Sequence, residues 1–269
     1  MTERLNIAVA GSAGRMGRQL IKAAHALGHQ VTGGSEAPGS SSVGADLGML
    51  AGIEPLAVTA TDQVDQAANG ARVWIDFTIP AATLSALNAL KTAGGGAAVI
   101  GTTGFNAAQE AEIVQASHEL AIVKAGNFSL GVNLLEALVK QAAARLGSDW
   151  DIEIAEAHHR HKVDAPSGTA LMLGEAAASG RGEPLKNLKA APYDGPSAKR
   201  EAGKIGFSVT RTGGVIGAHE VSFGSEMEVV SLRHTALDRA VFAHGAIKAA
   251  EWVATQPPGL YDMSDVLGL

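Results

Sequence analysis

The N-terminal stretch LNIAVAGSAGRMG constrains this chain more than any other. Leu5, Ile7 and Val9 form a short apolar run that breaks directly into glycines at 11, 14 and 17. Behind them Met16, Leu20, Ala24 and Leu27 recur at helical spacing, and Gly28 stands where such a helix would end. The reading is strand, glycine turn, helix. A turn of this kind lets backbone approach a pyrophosphate closely, while the following helix aims its first N–H groups and positive end at the charge. The pattern is GxxGxxG, with Ala13 where the commoner GxGxxG has its second glycine. In a chain with 33 glycines the pattern alone signifies only a tight turn. The strand before it, the helix after it and an acidic residue, Glu36, soon after a second strand make it a dinucleotide loop.

The same alternation continues. A second strand runs through 30–32, and the Gly-, Ser- and Pro-rich segment 37–52 reads as a long loop. VWIDFT (73–78) is a strand, Pro80 opens a helix over 81–92, and AAVIG is a strand ending at Gly101. A helix over 107–118 and a strand over 120–124 lead to AGNFSLGVN. Strands alternating with helices require a parallel, doubly wound sheet, which binds ligands at the carboxyl ends of its strands. Beyond Ser129 the grammar changes: a helix over 134–146 precedes DIEIAEAHH, a strand with one buried face, and GFSVTR, VIGAHEVSF and MEVVSLRH follow with only short turns between them. The expected fold is therefore α/β: a Rossmann-like doubly wound parallel sheet (1–128, completed by a returning helix within 240–269), plus a second α+β domain (129–239) with an open mixed or antiparallel sheet.

Composition narrows the function. The net charge of −6 is spread without long like-sign runs, which argues against a nucleic-acid partner. With no cysteine there is no disulfide framework, thiolate metal site or cysteine nucleophile, as suits a reducing cytoplasm. The N-terminal apolar run is too short, and too soon broken by glycine, for a signal segment or membrane span. The expectation is a cytoplasmic protein with no membrane partner.

Against this acidic background EAHHRHKVDAPSGTA, from Glu156 to Ala170, gathers three histidines, an arginine and a lysine into consecutive positions. Strand alternation sends His158 and His159 to opposite sides. Asp164, Ala165 and Pro166 turn the chain, Ser167 is a good N-cap, and Leu171, Met172 and Ala176 form an apolar stripe on the helix behind it. The N–H groups of Gly168 and Thr169 then lie free at a helix start. Three readings compete. A metal site would need His158, His159 and His161 neutral and convergent, and Arg160 and Lys162 repel a divalent cation, so no metal is expected. A solvated basic loop is the second. The third fits best: a site for a small anion, with a histidine or a depressed lysine as proton donor and Arg160 and the helix end holding carboxylates.

Taken together, GSAGRMG, DFTIP, GTTGF, AGNFSLGVN and above all EAHHRHKVDAPSGTA resemble the 4-hydroxy-tetrahydrodipicolinate reductase family, in order along essentially the whole chain. The resemblance implies NAD(P)H-dependent reduction of a cyclic imine dicarboxylate, with loss of water, on the diaminopimelate route to lysine. It implies His158 as proton donor and Lys162 as a second donor or charge stabiliser, with His159 on the substrate and Gly168 and Thr169 on one of its carboxylates. Gly11, Ser12, Ala13, Gly14, Arg15 and Met16 would hold the pyrophosphate, with Glu36 on the adenosine. Gly101, Thr102, Thr103, Ala125, Gly126, Asn127 and Phe128 would line the nicotinamide end. It also implies a homotetramer joined through the second domain. One departure matters: Ala37 stands where many relatives carry an arginine after the acidic residue, and no Lys or Arg occurs over 30–71. NADH is therefore expected to serve at least as well as NADPH.

Overall fold

The central strands of the first sheet are apolar on both faces except at their ends, because helices cover both sides. A computed structural model, which describes residues 3–94, 96–196 and 198–269, places them accordingly. In chain order the elements are β1 (Asn6–Ala10), α1 (Arg15–Ala26), β2 (Gln30–Ser35), α2 (Leu47–Ala51), β3 (Ala60–Thr61), α3 (Val64–Ala68), β4 (Val73–Asp76), α4 (Pro80–Thr92), β5 (Ala97–Ile100), α5 (Ala107–Ala116) and β6 (Ala121–Lys124). Then follow α6 (Leu130–Arg145), β7 (Asp151–His158), α7 (Gly168–Gly180), α8 (Leu185–Leu188), β8 (Ile205–Arg211), β9 (Gly217–Gly224) and β10 (Val229–Ala236). The chain closes with α9 (Ala240–Val253), β11 (Gly259–Tyr261) and α10 (Met263–Leu267). Two units result: one runs to Ser129 and resumes over Ala240–Gly268, and the other spans Leu130–Arg239.

In the first unit the strand order is β11-β6-β5-β4-β1-β2-β3 and every pairing is parallel. The expected Rossmann-like sheet is present. The strand order reverses between β1 and β4, which makes their carboxyl ends the switch point where such sheets take up ligands. Trp74, Leu87, Ile100, Ile113 and Ile122 form one side of the core. On α1 the buried residues are Gly17, Leu20, Ile21, Ala23 and Ala24, whereas Met16 is half-buried and Leu27 is 47% exposed. The helix thus turns a slightly different face inward than the apolar spacing suggests, with Leu20 and Ile21 fully buried beside Gly17, Ala23 and Ala24.

The second sheet has the order β10-β9-β7-β8, with β7 and β8 parallel and the other pairs antiparallel, so it is mixed. Helix α7 buries Ala170, Leu173, Ala176 and Ala177 against Ile152, Ile154, Val221 and Phe223. Leu171 and Met172 are only half-buried, Leu171 at the edge of this core, so the expected stripe is corrected: its centre is Ala170, Leu173, Ala176 and Ala177.

Other differences have local causes. The segment 37–52 is not all loop, because Asp46 accepts from the Gly48 and Met49 N–H groups and caps α2. Helix α6 begins at Leu130, ahead of the expected start, despite Gly131 in its first turn. The short elements β3, α3, α8, β11 and α10 have too few residues for a period to show. No helix among the described residues is long and apolar enough to cross a membrane.

Two glycines hold the dinucleotide-type turn. Gly11 has φ +60°, and a Cβ on Gly17 would overlap the Gly11 carbonyl oxygen and the Ser12 Cα. Gly17→Ala is expected to force α1 off β1 at a cost of about 1–3 kcal/mol, lowering the melting temperature by several degrees. An unchanged melting temperature would show that the helix does not need this approach.

Candidate active site

At the switch point the N-terminus of α1 has no side-chain cap and no acidic residue in its first turn, and Gly14 and Arg15 are exposed there. Its orphan N–H groups and positive dipole end are left for an external anion. Glu36 lies beside this turn: its Oε1 accepts from the Ala13 N–H at 2.6 Å and from Ser12 Oγ at 3.3 Å, and Oε2 accepts from Ser40 Oγ at 3.3 Å. A carboxylate so placed is able to accept hydrogen bonds from ribose hydroxyls. Next to the turn is a pocket of about 460 Å³ lined by Met16, Phe77, Thr78, Gly101, Thr102, Thr103, Gly126, Asn127, Phe128 and Phe242. Ala125 is not part of that lining; its N–H continues the β6 ladder to Ile100.

The pocket's floor is pinned by Asp76, which is buried at the end of β4. Its Oδ1 accepts from Thr78 N at 3.0 Å, Thr78 Oγ1 at 2.6 Å and Thr102 Oγ1 at 3.1 Å. These bonds tie the ends of β4 and β5 together. Phe77 meets Phe128 edge to face with centroids 5.2 Å apart, giving an aromatic wall. Phe77, Thr78 and Phe242 were absent from the residues expected here. DFT had the strand-end position as a signal; Phe242 lies far along the chain and offered none.

In the second unit the inward row of β7 reads Ile152, Ile154, Glu156, His158, and that of β9 reads Phe223, Val221, His219, Gly217. The helix-covered face is therefore apolar at one end and ionisable at the other. Polar groups buried at such a place must find partners. Glu156, whose side chain is fully buried, finds four: His158 Nδ1 at 2.5 Å, Arg211 Nη1 at 2.8 Å, Arg211 Nη2 at 2.9 Å and the Ser167 N–H at 3.0 Å. Burial by itself raises the Glu156 pKa, but the Arg211, His158 and Ser167 bonds outweigh it and hold the carboxyl below its usual range. The His219 ring stands edge-on to His158 at 5.1 Å, and its Nε2 meets Ser167 Oγ at 3.1 Å. Ser167 Oγ also accepts from the Ala170 N–H as the N-cap of α7.

The remaining cluster residues lie around this core. His159 is half-buried, and Arg160, His161 and Gly168 are exposed. Desolvation and the neighbouring cations, Arg239 foremost, lower the His159 pKa. Lys162 pairs with Asp164 at 2.9 Å, which holds that carboxyl below its ordinary value. Thr169 lies half-buried in the first turn of α7. Glu156, His158 and His219 offer ligand atoms within 4.8 Å of one another. That cluster's carboxylate is already paired with a cation: the Arg211 fork occupies both Glu156 oxygens, and its charge opposes a metal ion. The sequence reading placed His158 here but missed Glu156, Arg211 and His219. Alternation along β7 would have found Glu156.

Fold and site define a class, a two-unit oxidoreductase with a dinucleotide-binding sheet and a separate unit carrying a buried histidine–carboxylate cluster. The chain belongs to the dihydrodipicolinate reductase family: the N-terminal family matches residues 5–128 and the C-terminal family residues 131–267. It is 52% identical to the 4-hydroxy-tetrahydrodipicolinate reductase of Parvibaculum lavamentivorans and 50% identical to that of Dinoroseobacter shibae, over 100% of each chain. Among solved structures it shares the fold of a dipicolinate-bound dihydrodipicolinate reductase from Paenisporosarcina sp. TG-14, with TM-score 0.77, 22% identity and coverage of 97% of this chain and 98% of the other. An amine dehydrogenase from Mycobacterium smegmatis has TM-score 0.66 at 14% identity, covering 96% of this chain and 94% of its own.

Burial, then the His158 charge, lowers the His219 pKa from 6.5 to about 4. The unfolded chain therefore takes up this proton at higher pH than the folded one. The stability that comes from a neutral His219 is fully present above about 6.5 and is lost as pH falls toward about 4. At roughly 1.4 kcal/mol per unit, the ceiling is about 3 kcal/mol. Denaturant unfolding at neutral pH and at about pH 5 should show a smaller acid loss in His219→Gln than in the parent. Equal losses would contradict a neutral, buried His219.

Proposed function

We propose that this chain reduces 4-hydroxy-tetrahydrodipicolinate to tetrahydrodipicolinate with loss of water, at the expense of NADH or NADPH, on the diaminopimelate route to lysine in the cytoplasm. The observation that carries this reading is the buried Glu156–His158 pair at the ionisable end of the second sheet, with Lys162 and the start of α7 close along the chain. Full-length identity to reductases of that name supports it.

The residues present fit a nicotinamide dinucleotide. Gly11, Ser12, Ala13, Gly14, Arg15 and Met16 form a turn whose third glycine admits no Cβ, in front of an uncapped helix. These would hold the pyrophosphate, with Glu36 on the ribose hydroxyls and Gly101 to Thr103 and Gly126 to Phe128 at the nicotinamide end. When bound, the reduced nicotinamide supplies a hydride. The protein's part is the rest. Arg160, His159, Gly168 and Thr169 hold the substrate's carboxylates, Lys162 exchanges Asp164 for substrate charge, and His158 delivers the proton. One hydride and one proton enter and one water leaves, which balances the conversion.

The carboxylate of Glu36, bonded to the loop itself, disfavours a 2′-phosphate, and exposed Ala37 offers no cation to hold one. NADH should therefore give a specificity constant at least equal to that with NADPH, and a constant tenfold higher for NADPH would contradict the role given to Glu36. Exposed Val209, Val229 and Val230 on the second sheet support a homotetramer joined through it.

His158→Gln is expected to lower kcat by roughly one hundredfold or more, as loss of a general acid does, while leaving the NADH dissociation constant nearly unchanged. An unaltered kcat on the authentic substrate would remove His158 from the chemistry.

A further inference from the structure

The His158 imidazole has two nitrogens, and the surroundings treat them differently. Nδ1 meets Glu156 Oε2 at 2.5 Å, whereas Nε2 points toward Gly217, where a Cβ would come within 3.2 Å of it. An ionised carboxylate has no proton to give, so Nδ1 must be the donor in this bond. The mobile proton is then the one on Nε2, and the missing side chain at 217 leaves that nitrogen room.

Glu156 in turn has no freedom. Oε2 takes His158 Nδ1 and Arg211 Nη1, and Oε1 takes Arg211 Nη2 and the Ser167 N–H. These four contacts use the roughly four lone-pair directions of a carboxylate, so none is left for a substrate. Arg211 is braced as well. Its Nη2 donates to the Asp164 carbonyl at 2.6 Å, its Nη1 donates to the Thr210 carbonyl at 2.9 Å, and the residue is in register with His158 across the β7–β8 pairing. One guanidinium thus joins the strand that carries His158, the neighbouring strand and the loop beyond Lys162. Removing Arg211 would strand the buried Glu156 charge, and removing Glu156 would leave a half-buried guanidinium without its counter-charge, so the pair acts as a unit.

We propose that Glu156 and Arg211 are positioning residues for His158: the carboxylate, clamped by the guanidinium, fixes the ring through Nδ1 and makes Nε2 the nitrogen that delivers the proton. The inference rests on the reading of His158 as proton donor. Glu156 keeps no lone pair for a substrate, and Arg211 Nη1 and Nη2 are committed to Glu156 and two backbone carbonyls. Their loss should therefore appear in the chemical step and in the imidazole tautomer, with substrate affinity largely kept.

The test combines kinetics with nitrogen-15 NMR of labelled histidines, the His158 signals being assigned from their absence in His158→Gln. In the parent protein at a pH where His158 is neutral, Nδ1 should carry the proton and Nε2 should be bare. Glu156→Gln should lose that single tautomer and lower kcat at least roughly tenfold, toward the hundredfold that loss of the acid itself brings, with KM for the dicarboxylate within about threefold. Arg211→Lys, which keeps a charge but not the fork, should lie between the two. A parent protein whose His158 carries its proton on Nε2 would overturn the proposal, and so would a Glu156→Gln protein with unchanged kcat. Should Glu156→Gln fail to fold, the parent spectrum and Arg211→Lys still decide. A parent that shows the Nδ1–H tautomer but reduces no cyclic imine would leave the geometry standing and remove the proposed function instead.

Discussion

Four hydrogen bonds converge on the carboxylate of Glu156, and the second unit is organised around them. The group is buried where an apolar row ends, a place that tolerates charge only when every lone pair is used and a counter-charge is in contact. Arg211 meets that condition through two strands, and Ser167 meets it through the start of α7. Because His158 completes the set, its ring orientation is inherited from the packing of the sheet. Neutral His219 then closes the far side without adding a second positive charge beside His158.

The first unit solves a related problem with backbone. A turn that must approach a phosphate has to remove side chains, and Gly11 and Gly17 do this by conformation and by close packing. Glu36 sits on the loop it serves, and Asp76 ties β4 to β5 at the strand ends where the sheet's order reverses. In both units a buried or half-buried carboxylate sets the geometry of neighbouring donors.

Much of this was legible in the chain. The β/α alternation, the glycine turn and the change of grammar after Ser129 announced a parallel sheet followed by a mixed or antiparallel one, and the histidine-rich motif led to the buried Glu156–His158 pair. Periodicity failed where elements were short, as in α2, and where small residues carried the packing, as with Ala170 and Ala177 on α7. Glu156 could have been found, since it shares the inward row with Ile154 and His158. Arg211 could not, because its place beside His158 depends on the register between two strands far apart in sequence. Phe242 reaches its pocket through the return of the chain to the first unit, a topological fact that no local pattern encodes.

The central claim is that the nucleotide turn and the Glu156-held histidine serve one reduction of a cyclic imine dicarboxylate. Its most direct test is nicotinamide oxidation followed spectroscopically after adding freshly prepared 4-hydroxy-tetrahydrodipicolinate to the purified protein. The account predicts oxidation of one NADH for each substrate molecule consumed, and none with pyruvate or oxaloacetate. Absence of oxidation with the cyclic substrate, or equal rates with the open keto acids, would contradict it.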